Sequence, residues 1–191
     1  SDTHWNRFGA SFGYRALADR IAAEGFPIRP IEIDRSKREP WSRVGDLALL
    51  LGVGKRRVDP SWRVPTPRGV RALVVSPRSG DPRLAEWKIA PHLVTENPAG
   101  ELGRAVVFRD SCATELLHWL PIHFRHARFS WLDPQSAAFA WSIVRDERPE
   151  IVIDQFVERK LSLMPEPWPD DPASPRFDPA WVPPVPLDGA P

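Results

Sequence analysis

Apolar residues recur at helical spacing near the start of the chain. In residues 8–24, "FGASFGYRALADRIAAE", two apolar pairs are each four residues apart, Phe8 with Phe12 and Leu17 with Ile21. Side chains at this spacing share one face of an α-helix. The stretch Gly-Phe-Pro that follows is typical of a helix end. The pattern therefore predicts an amphipathic helix over residues 8–24.

Shorter apolar stretches follow this helix. Residues 45–52, "GDLALLLG", predict a short apolar helix with Asp46 as its N-cap and Gly52 at its end. Between Pro- and Gly-containing turns, "RALVVS" (71–76) and "HLVTEN" (92–97) are typical of short strands. These segments lead into the most regular part of the sequence.

Strand and helix patterns then alternate with short connections. The strand patterns are residues 104–108, 127–132 and 150–157, and the helix patterns between them are residues 112–124, interrupted at Pro121, and 134–149. Such alternation predicts parallel strand pairing, right-handed crossovers and helices on the faces of the sheet. The expected fold class is a three-layer α/β domain.

Proline usage separates the last part of the chain from this domain. Residues 165–191 contain ten prolines, which excludes a regular helix or an interior strand there. We therefore expect one domain over residues 1–164 and a Pro-rich tail over 165–191. A chain of 191 residues is long enough for one domain with a substantial core.

Charge and cysteine usage exclude several classes of function. The net charge of +1 gives no electrostatic support for binding nucleic acid or an anionic membrane, and the basic run at 54–57 is expected to be a solvated loop. The single cysteine, Cys112, excludes an intrachain disulfide and a cysteine-type zinc site. The sequence shows no signal peptide and no apolar run of the roughly 18 residues that a membrane span needs.

A serine stands where a predicted strand meets a predicted helix. In "VVFRDSCATELL", Ser111 would lie at the carboxyl edge of a parallel sheet, where active sites collect. Backbone N–H groups of the turn could then stabilise an oxyanion beside its hydroxyl. The alternative is that Ser111 or Asp110 only caps the helix, which both residue types commonly do.

An acidic residue and a histidine at the start of the chain offer the partners that a nucleophilic serine needs. Asp2 and His4 are two residues apart in "SDTHWN", so one loop can present a base and the carboxylate that orients it. The alternatives are an exposed turn histidine beside a packed Trp5, a helix-capping Asp2, or a metal site formed by both. Two ligands are too few for a metal site of the usual kind.

Four motifs in order give a resemblance to a known family. "DTHWNRFGA", "GDLALLLG", "VVFRDSC" and "RPEIVIDQFVERKL" resemble the SGNH-hydrolase-like domain of alginate O-acetyltransferases of the AlgX and AlgJ type. The resemblance implies an SGNH-hydrolase-like sheet with circularly permuted motif order, with Ser111 as nucleophile, His4 as general base and Asp2 as the orienting acid. It also leads us to expect that the domain is incomplete at its N-terminus.

The sequence departs from the family pattern after the serine. Cys112 replaces the usual aromatic residue and is a rival nucleophile, although a neighbouring acid does not favour a thiolate. The further Gly and Asn oxyanion donors of ordinary SGNH enzymes have no clear equivalents. We expect the backbone N–H groups of Ser111 and Cys112 to serve, with Arg109 or Arg159 adding charge, and Trp5 to stack on an acceptor sugar.

The resemblance implies an O-acetyltransferase that moves an acetyl group through Ser111 to hydroxyls of an exported polysaccharide such as alginate. The alternatives are a carbohydrate acetylesterase with the same triad and a non-catalytic glycan-binding or assembly protein. The expected partners are a polysaccharide acceptor, an acetyl donor of unknown identity and other polysaccharide-export proteins, without nucleic acid. The expected location is the periplasm or a membrane anchor facing it.

No cofactor or metal is expected, and His92, His118, His123 and His126 are interpreted as surface or packing residues.

Overall fold

The structure is a computed structural model that describes residues 4–53, 59–65, 72–76, 92–131 and 137–157. Asp2, Arg159, the basic run at 54–57 and the Pro-rich tail at 165–191 lie outside the described residues. The predictions that rest on them stay predictions.

The elements follow one another as helices, a small hairpin and a larger sheet. In chain order they are α1 (Arg7–Ala23), a 3₁₀ turn (Arg35–Lys37), β1 (Glu39–Arg43), α2 (Asp46–Leu50), β2 (Asp59–Arg63), β3 (Leu73–Ser76), β4 (His92–Glu96), β5 (Leu102–Arg109), two 3₁₀ helices (Ser111–His118 and Leu120–His123), β6 (Phe124–Trp131), α3 (Ala137–Glu147) and β7 (Ile151–Gln155).

A mixed five-stranded sheet forms the centre of the domain, with strand order β3-β4-β6-β5-β7. The strands β6 and β7 both pair with β5 in parallel, so Val107 lies beside Phe129 on one side and Ile153 on the other. The strands β3 and β4 extend the sheet with antiparallel pairing, while β1 and β2 form a separate antiparallel pair. The predicted parallel pairing is thus confirmed for β5, β6 and β7.

The two faces of the sheet are covered by different helices. Ala105 and Val107 of β5 belong to a buried cluster with Tyr14 of α1 and Leu116 of the first 3₁₀ helix. The neighbouring β5 residues point the other way, because successive strand residues alternate between faces. They pack against α3 through Ile143 and Ala140. Helices on both faces of one sheet confirm the predicted three-layer α/β architecture.

The first helix has clear local reasons to begin and end where it does. The Asn6 side chain is the N-cap, and its Oδ1 accepts the Gly9 N–H at 2.8 Å, which satisfies one of the N–H groups that a helix start leaves open. Gly25 follows the helix with φ of +89°, a conformation that favours glycine. The predicted helix over 8–24 is confirmed to within one residue at each end.

The segment after β5 differs from its prediction. Residues 112–124 were expected to form a helix interrupted at Pro121, whereas two 3₁₀ helices occupy this stretch and Phe124 already begins β6. Trp119, with φ of −131°, leaves the helical region between them. Apolar residues three apart share a face in both α- and 3₁₀-helices, so a short apolar pattern does not distinguish them.

The predicted cap of α2 is also corrected. Gly45 is the N-cap, without a side-chain capping bond, and Asp46 is the first helical residue. The Asp46 Oδ1 atom accepts the Leu47 N–H at 2.8 Å within the first turn. Gly52 follows the helix with φ of +69°, as the sequence pattern indicated. None of the helices that the structure describes is both long and apolar enough to cross a membrane.

Candidate functional site

Ser111 is the first residue of the 3₁₀ helix that follows β5. The residue before it, Asp110, is the N-cap and is almost fully buried. One carboxylate oxygen of Asp110 accepts the Cys112 N–H at 2.8 Å and the other accepts the Val157 N–H at 2.7 Å. Asp110 therefore fixes the turn that presents Ser111 and ties it to the segment after β7.

The structure brings the predicted base and nucleophile into contact. The Nε2 atom of His4 lies 2.7 Å from the Oγ atom of Ser111, across 107 residues of sequence. This distance is that of a hydrogen bond. It is also the geometry in which an imidazole can take a proton from a serine hydroxyl.

Two neighbours of His4 attach the N-terminal segment to the segment that contains Ser111. The indole Nε1 of Trp5 donates a hydrogen bond to the Cys112 carbonyl, and the Nε of Arg7 donates to Glu115 Oε2 at 3.0 Å. The two segments therefore contact each other in the same order along the chain: His4 with Ser111, Trp5 with Cys112 and Arg7 with Glu115. This arrangement fixes the register in which imidazole and hydroxyl meet.

Glu115 is the acidic centre of this attachment. Burial opposes ionisation of its carboxyl, but hydrogen bonds from His118 and Arg7 outweigh the burial and lower its pKa to about 2. The His118 Nε2 atom lies 3.4 Å from Glu115 Oε2. Glu115 is therefore ionised at neutral pH, and its charge stabilises the docked position of Arg7.

A second carboxylate faces the other nitrogen of His4. The Oδ2 atom of Asp46, at the start of α2, lies 3.5 Å from His4 Nδ1. The two side chains are 36% and 24% exposed, respectively. The imidazole therefore lies between a serine hydroxyl and a carboxylate contributed by two different elements.

Arg109 lies in the interior, beneath the turn that presents Ser111. It is fully buried, and its Nη1 lies 3.4 Å from the Asp110 carbonyl and 3.5 Å from Thr114 Oγ1. Its guanidinium lies 5.2 Å from the centre of the Trp131 ring, a distance typical of cation–π contact. Burial lowers the pKa of Arg109 to about 10, so it remains positively charged at neutral pH close to Ser111.

The other expected site residues are placed as follows. Cys112 is half-buried, and its N–H is already donated to Asp110, so it would have to leave that bond to stabilise an oxyanion. Trp5 packs its ring against α1, where a Cβ at Gly13 would lie 2.6 Å from the ring. Its contacts are thus those of a packing residue. Asp2 and Arg159 lie outside the described residues.

Sequence reasoning missed three residues of this site. Asp46 was interpreted as a helix cap, and Arg7 and Glu115 were not considered. The available signal for Arg7 and Glu115 was their opposite charge three or four residues after His4 and Ser111. Once those two segments are assumed to meet, the charges pair.

The remaining histidines each have a protein partner. His123 Nε2 lies 2.6 Å from the Tyr14 hydroxyl, and its Nδ1 lies 2.9 Å from Glu101 Oε2. His126 Nε2 lies 3.1 Å from Glu147 Oε2. Across the described ranges, no group of three His, Cys, Asp or Glu residues is arranged to hold a metal ion.

Comparison with known proteins finds similarity to solved structures but none by sequence. No protein-family profile matches the sequence, and no characterised protein matches it by sequence similarity. The structure is similar to that of Bacillus cereus PatB1 with a sulfonyl adduct, with a TM-score of 0.58, 17% identity and coverage of 86% of this chain. A second PatB1 structure matches with a TM-score of 0.54, 16% identity and coverage of 87% of this chain. The chain spans 61% and 63% of the length of those two PatB1 chains.

This likeness shows the fold. The described residues have a three-layer α/β architecture, as the sequence predicted, and share that fold with PatB1. At this level of identity the comparison does not extend to substrate or to the AlgX and AlgJ type in particular.

Proposed function

We propose that this protein is a serine-dependent O-acyltransferase in which Ser111 is the nucleophile and His4 the general base. The observation that carries the proposal is the 2.7 Å contact between His4 Nε2 and Ser111 Oγ. Ser111 stands at the carboxyl end of β5, where sites of open α/β sheets collect. The likeness to a PatB1 structure with a sulfonyl adduct supports acyl-transfer chemistry, since sulfonyl reagents react with nucleophilic side chains.

The first half of the cycle acylates the serine. His4 Nε2 takes the hydroxyl proton as Ser111 Oγ bonds to the acetyl carbonyl carbon, and a tetrahedral oxyanion forms. The carbon–oxygen bond to the donor then breaks, and His4 returns its proton to the departing donor oxygen. Ser111 is left as an acetyl ester.

The second half transfers the acetyl group. A sugar hydroxyl gives its proton to His4 Nε2 and attacks the acetyl carbonyl, and the proton then returns to Ser111 as the serine leaves. Asp2 has the role of orienting acid in this proposal. The positive charge of Arg109 beneath the turn supports development of negative charge above it.

The proposed acceptor is an exported polysaccharide such as alginate, and the proposed location is the periplasm or a membrane anchor facing it. One surface feature supports an acidic glycan. Phe12 and Trp62 are 53% and 41% exposed, and the guanidinium groups of Arg35 and Arg38 lie over their rings at 4.2 and 5.0 Å. Aromatic faces stack on sugar rings, while arginines pair with carboxylates. We call these four residues the Arg–aromatic surface.

Position favours this surface as part of an acceptor site. Arg38 also lies 5.6 Å from the ring centre of Phe8, which stands in the first turn of α1, four residues after His4 in sequence. It immediately precedes β1, the strand that leads to α2 and Asp46. The surface is therefore connected through α1 and β1 to the two segments that carry His4 and Asp46. Other polysaccharide-export proteins are proposed partners on the basis of the sequence resemblance alone.

Trapping the acyl-enzyme tests the proposal. The protein is incubated with p-nitrophenyl acetate, and any acetyl label is located by mass spectrometry of its peptides. We expect label on Ser111, no label on that peptide in Ser111→Ala, and a rate reduced at least about 100-fold in His4→Ala. Cys112→Ser is the matched control, because it alters the neighbouring nucleophile and should leave labelling of Ser111 intact.

Label on Cys112, or wild-type protein without label, would contradict the proposal. Adding a polyuronate to the labelled enzyme then distinguishes transferase from esterase. Acetyl ester appearing on the polymer supports the transferase, whereas free acetate formed at the same rate with and without polymer supports the acetylesterase alternative.

A further inference from the structure

The two nitrogens of the His4 imidazole have different partners. Nε2 faces the Ser111 hydroxyl at 2.7 Å, and Nδ1 faces Asp46 Oδ2 at 3.5 Å. Asp46 belongs to α2, whereas His4 precedes α1. A carboxylate from a separate element is therefore aimed at the nitrogen that a general base does not use for proton transfer.

Local geometry explains why Asp46 is aimed at His4. With Gly45 in extended conformation as the N-cap, Asp46 begins the helix. Its Oδ1 accepts the Leu47 N–H at 2.8 Å, which sets the rotation of the carboxylate and leaves Oδ2 toward the imidazole. Ala48, which is 1% exposed, anchors α2 to the domain. The direction of the carboxylate is thus fixed by the backbone of α2.

We propose that Asp46 is a positioning residue that holds the His4 proton on Nδ1 and stabilises the imidazolium formed when Ser111 is activated. The proposal rests on the proposed function of His4 as a base. With the proton on Nδ1, Nε2 presents a lone pair to the Ser111 hydroxyl, as the reaction requires. Once Nε2 has taken the serine proton, the imidazole is a cation beside an anion.

The partial exposure of the pair limits the expected effect. Solvent screens a charge pair whose side chains are 24% and 36% exposed. We therefore expect loss of the Asp46 charge to slow acylation by about ten-fold, far less than loss of His4 itself. Asp2, the orienting acid that the family resemblance implies, would act on the same imidazole from the segment that contains His4. The contributions of the two carboxylates therefore have to be separated by experiment.

The test compares Asp46→Asn and Asp46→Ala with wild type. Single-turnover acetylation of Ser111 by p-nitrophenyl acetate gives the maximal rate and the ester concentration for half-maximal rate. We expect the maximal rate to fall about ten-fold in Asp46→Ala with little change in the half-maximal concentration. Asp19→Asn is the matched control, since Asp19 pairs with Arg15 on the exposed side of α1.

A second readout does not depend on turnover. The ¹⁵N chemical shifts of the neutral His4 imidazole report which nitrogen carries the proton. We expect Nδ1–H to predominate in wild type and the fraction of Nδ1–H to fall in Asp46→Ala. Combining Asp46→Ala with Asp2→Ala in a double-mutant cycle separates the contributions of the two carboxylates.

The outcomes are distinguishable. If Asp46→Ala retains the wild-type acylation rate per folded molecule and the wild-type tautomer, the proposal is wrong, even if the variant is less stable to heat. If Asp46→Ala fails to fold, the isosteric Asp46→Asn decides by the same two readouts. If wild-type protein forms no acetyl-Ser111, the proposed function fails, and the ¹⁵N shifts alone decide whether Asp46 positions His4.

Discussion

The Nε atom of Arg7 lies 3.0 Å from Oε2 of Glu115, and this ion pair joins the segment that contains His4 to the segment that contains Ser111. The pair is one of several contacts that hold His4 and Ser111 in register. Its side chains are only 23% and 14% exposed, so solvent screens it less than it screens a surface pair.

The Glu115 carboxylate should make stability depend on pH. Because its pKa in the folded protein is lowered from 4.5 to about 2, its contribution is fully present above about pH 4.5 and is lost as the pH falls toward 2. We expect Glu115→Gln to cost on the order of 2–3 kcal/mol at pH 7, with the difference from wild type shrinking at acid pH. Urea unfolding at several pH values measures this.

Glu32→Gln is the control for this prediction, because the Glu32 side chain is 91% exposed and should contribute little at any pH. A Glu115→Gln penalty that stays constant from pH 7 to pH 3 would contradict the account, since it would show that shape and not charge is responsible.

Two glycines of α1 should respond differently to alanine. At Gly13 an added Cβ would lie 2.6 Å from the Trp5 ring, whereas at Gly9 it would lie 3.4 Å from Trp5 Cβ. In a helix, alanine is favoured over glycine by about 1 kcal/mol. We expect Gly9→Ala to be neutral or stabilising. Gly13→Ala should lower the melting temperature and slow Ser111 acylation, because it displaces Trp5 and with it the Cys112 carbonyl. Equal effects at the two positions would count against the packing role of Trp5.

The Asp110 carboxylate should contribute more to the free energy of unfolding than an ordinary helix cap does. Both of its oxygens accept backbone N–H groups, from Cys112 and Val157, and an asparagine has one acceptor oxygen to offer. We expect Asp110→Asn to cost about 1.5–3 kcal/mol of unfolding free energy and to slow acylation. Asp34→Asn, at the exposed N-cap of the 3₁₀ turn, is the matched control and should cost much less than Asp110→Asn. Similar costs would refute the special role of Asp110.

A buried polar chain beneath α1 should also be sensitive to a small deletion. The Tyr14 hydroxyl accepts the Ile31 N–H at 2.8 Å and lies at hydrogen-bond distance, 2.6 Å, from His123 Nε2. Burial raises the pKa of Tyr14 to about 12, and the hydroxyl therefore stays protonated. Tyr14→Phe leaves both partners without this hydroxyl and should cost about 1–3 kcal/mol. A change below about 0.5 kcal/mol in the free energy of urea unfolding would show that these hydrogen bonds contribute little to stability.

The Arg–aromatic surface should affect the acceptor more than the donor. We expect Trp62→Ala to raise the polyuronate concentration needed for half-maximal acetyl transfer several-fold, because a stacking face is lost. The acylation rate with p-nitrophenyl acetate is measured alongside. Val152→Ala is the control, since Val152 is similarly exposed, at 46%, on the edge strand β7. If both variants behave alike toward the polymer, the acceptor site is elsewhere.

The sequence predicted the parts of the fold that local pattern determines. The apolar runs of β5, β6 and β7 and the periodicity of α1 come from short-range alternation, which a single sequence displays. It did not predict that β3 and β4 join the sheet antiparallel, because pairing direction depends on contacts between distant segments.

The same distinction applies to the site. Ser111 was singled out by its position at a strand end and His4 by its spacing from Asp2. A family resemblance then gave them roles, and the structure places the two side chains together. The position of Asp46 beside His4 could not be inferred, because it depends on contact between α2 and a segment that is distant from it in sequence. The pairing of Arg7 with Glu115 likewise appears only after residues 108 apart in sequence are brought together.

The distance in sequence between His4 and Ser111 has a consequence for synthesis and folding. Under the proposed function, the base leaves the ribosome first and stays inert until β5 and the turn after it have formed and the N-terminal segment has docked on them. Reactivity of Ser111 toward an acyl reagent would then report in real time when distant parts of the chain have assembled. The rate at which Ser111 becomes reactive during refolding therefore measures the rate at which the N-terminal segment docks on the sheet.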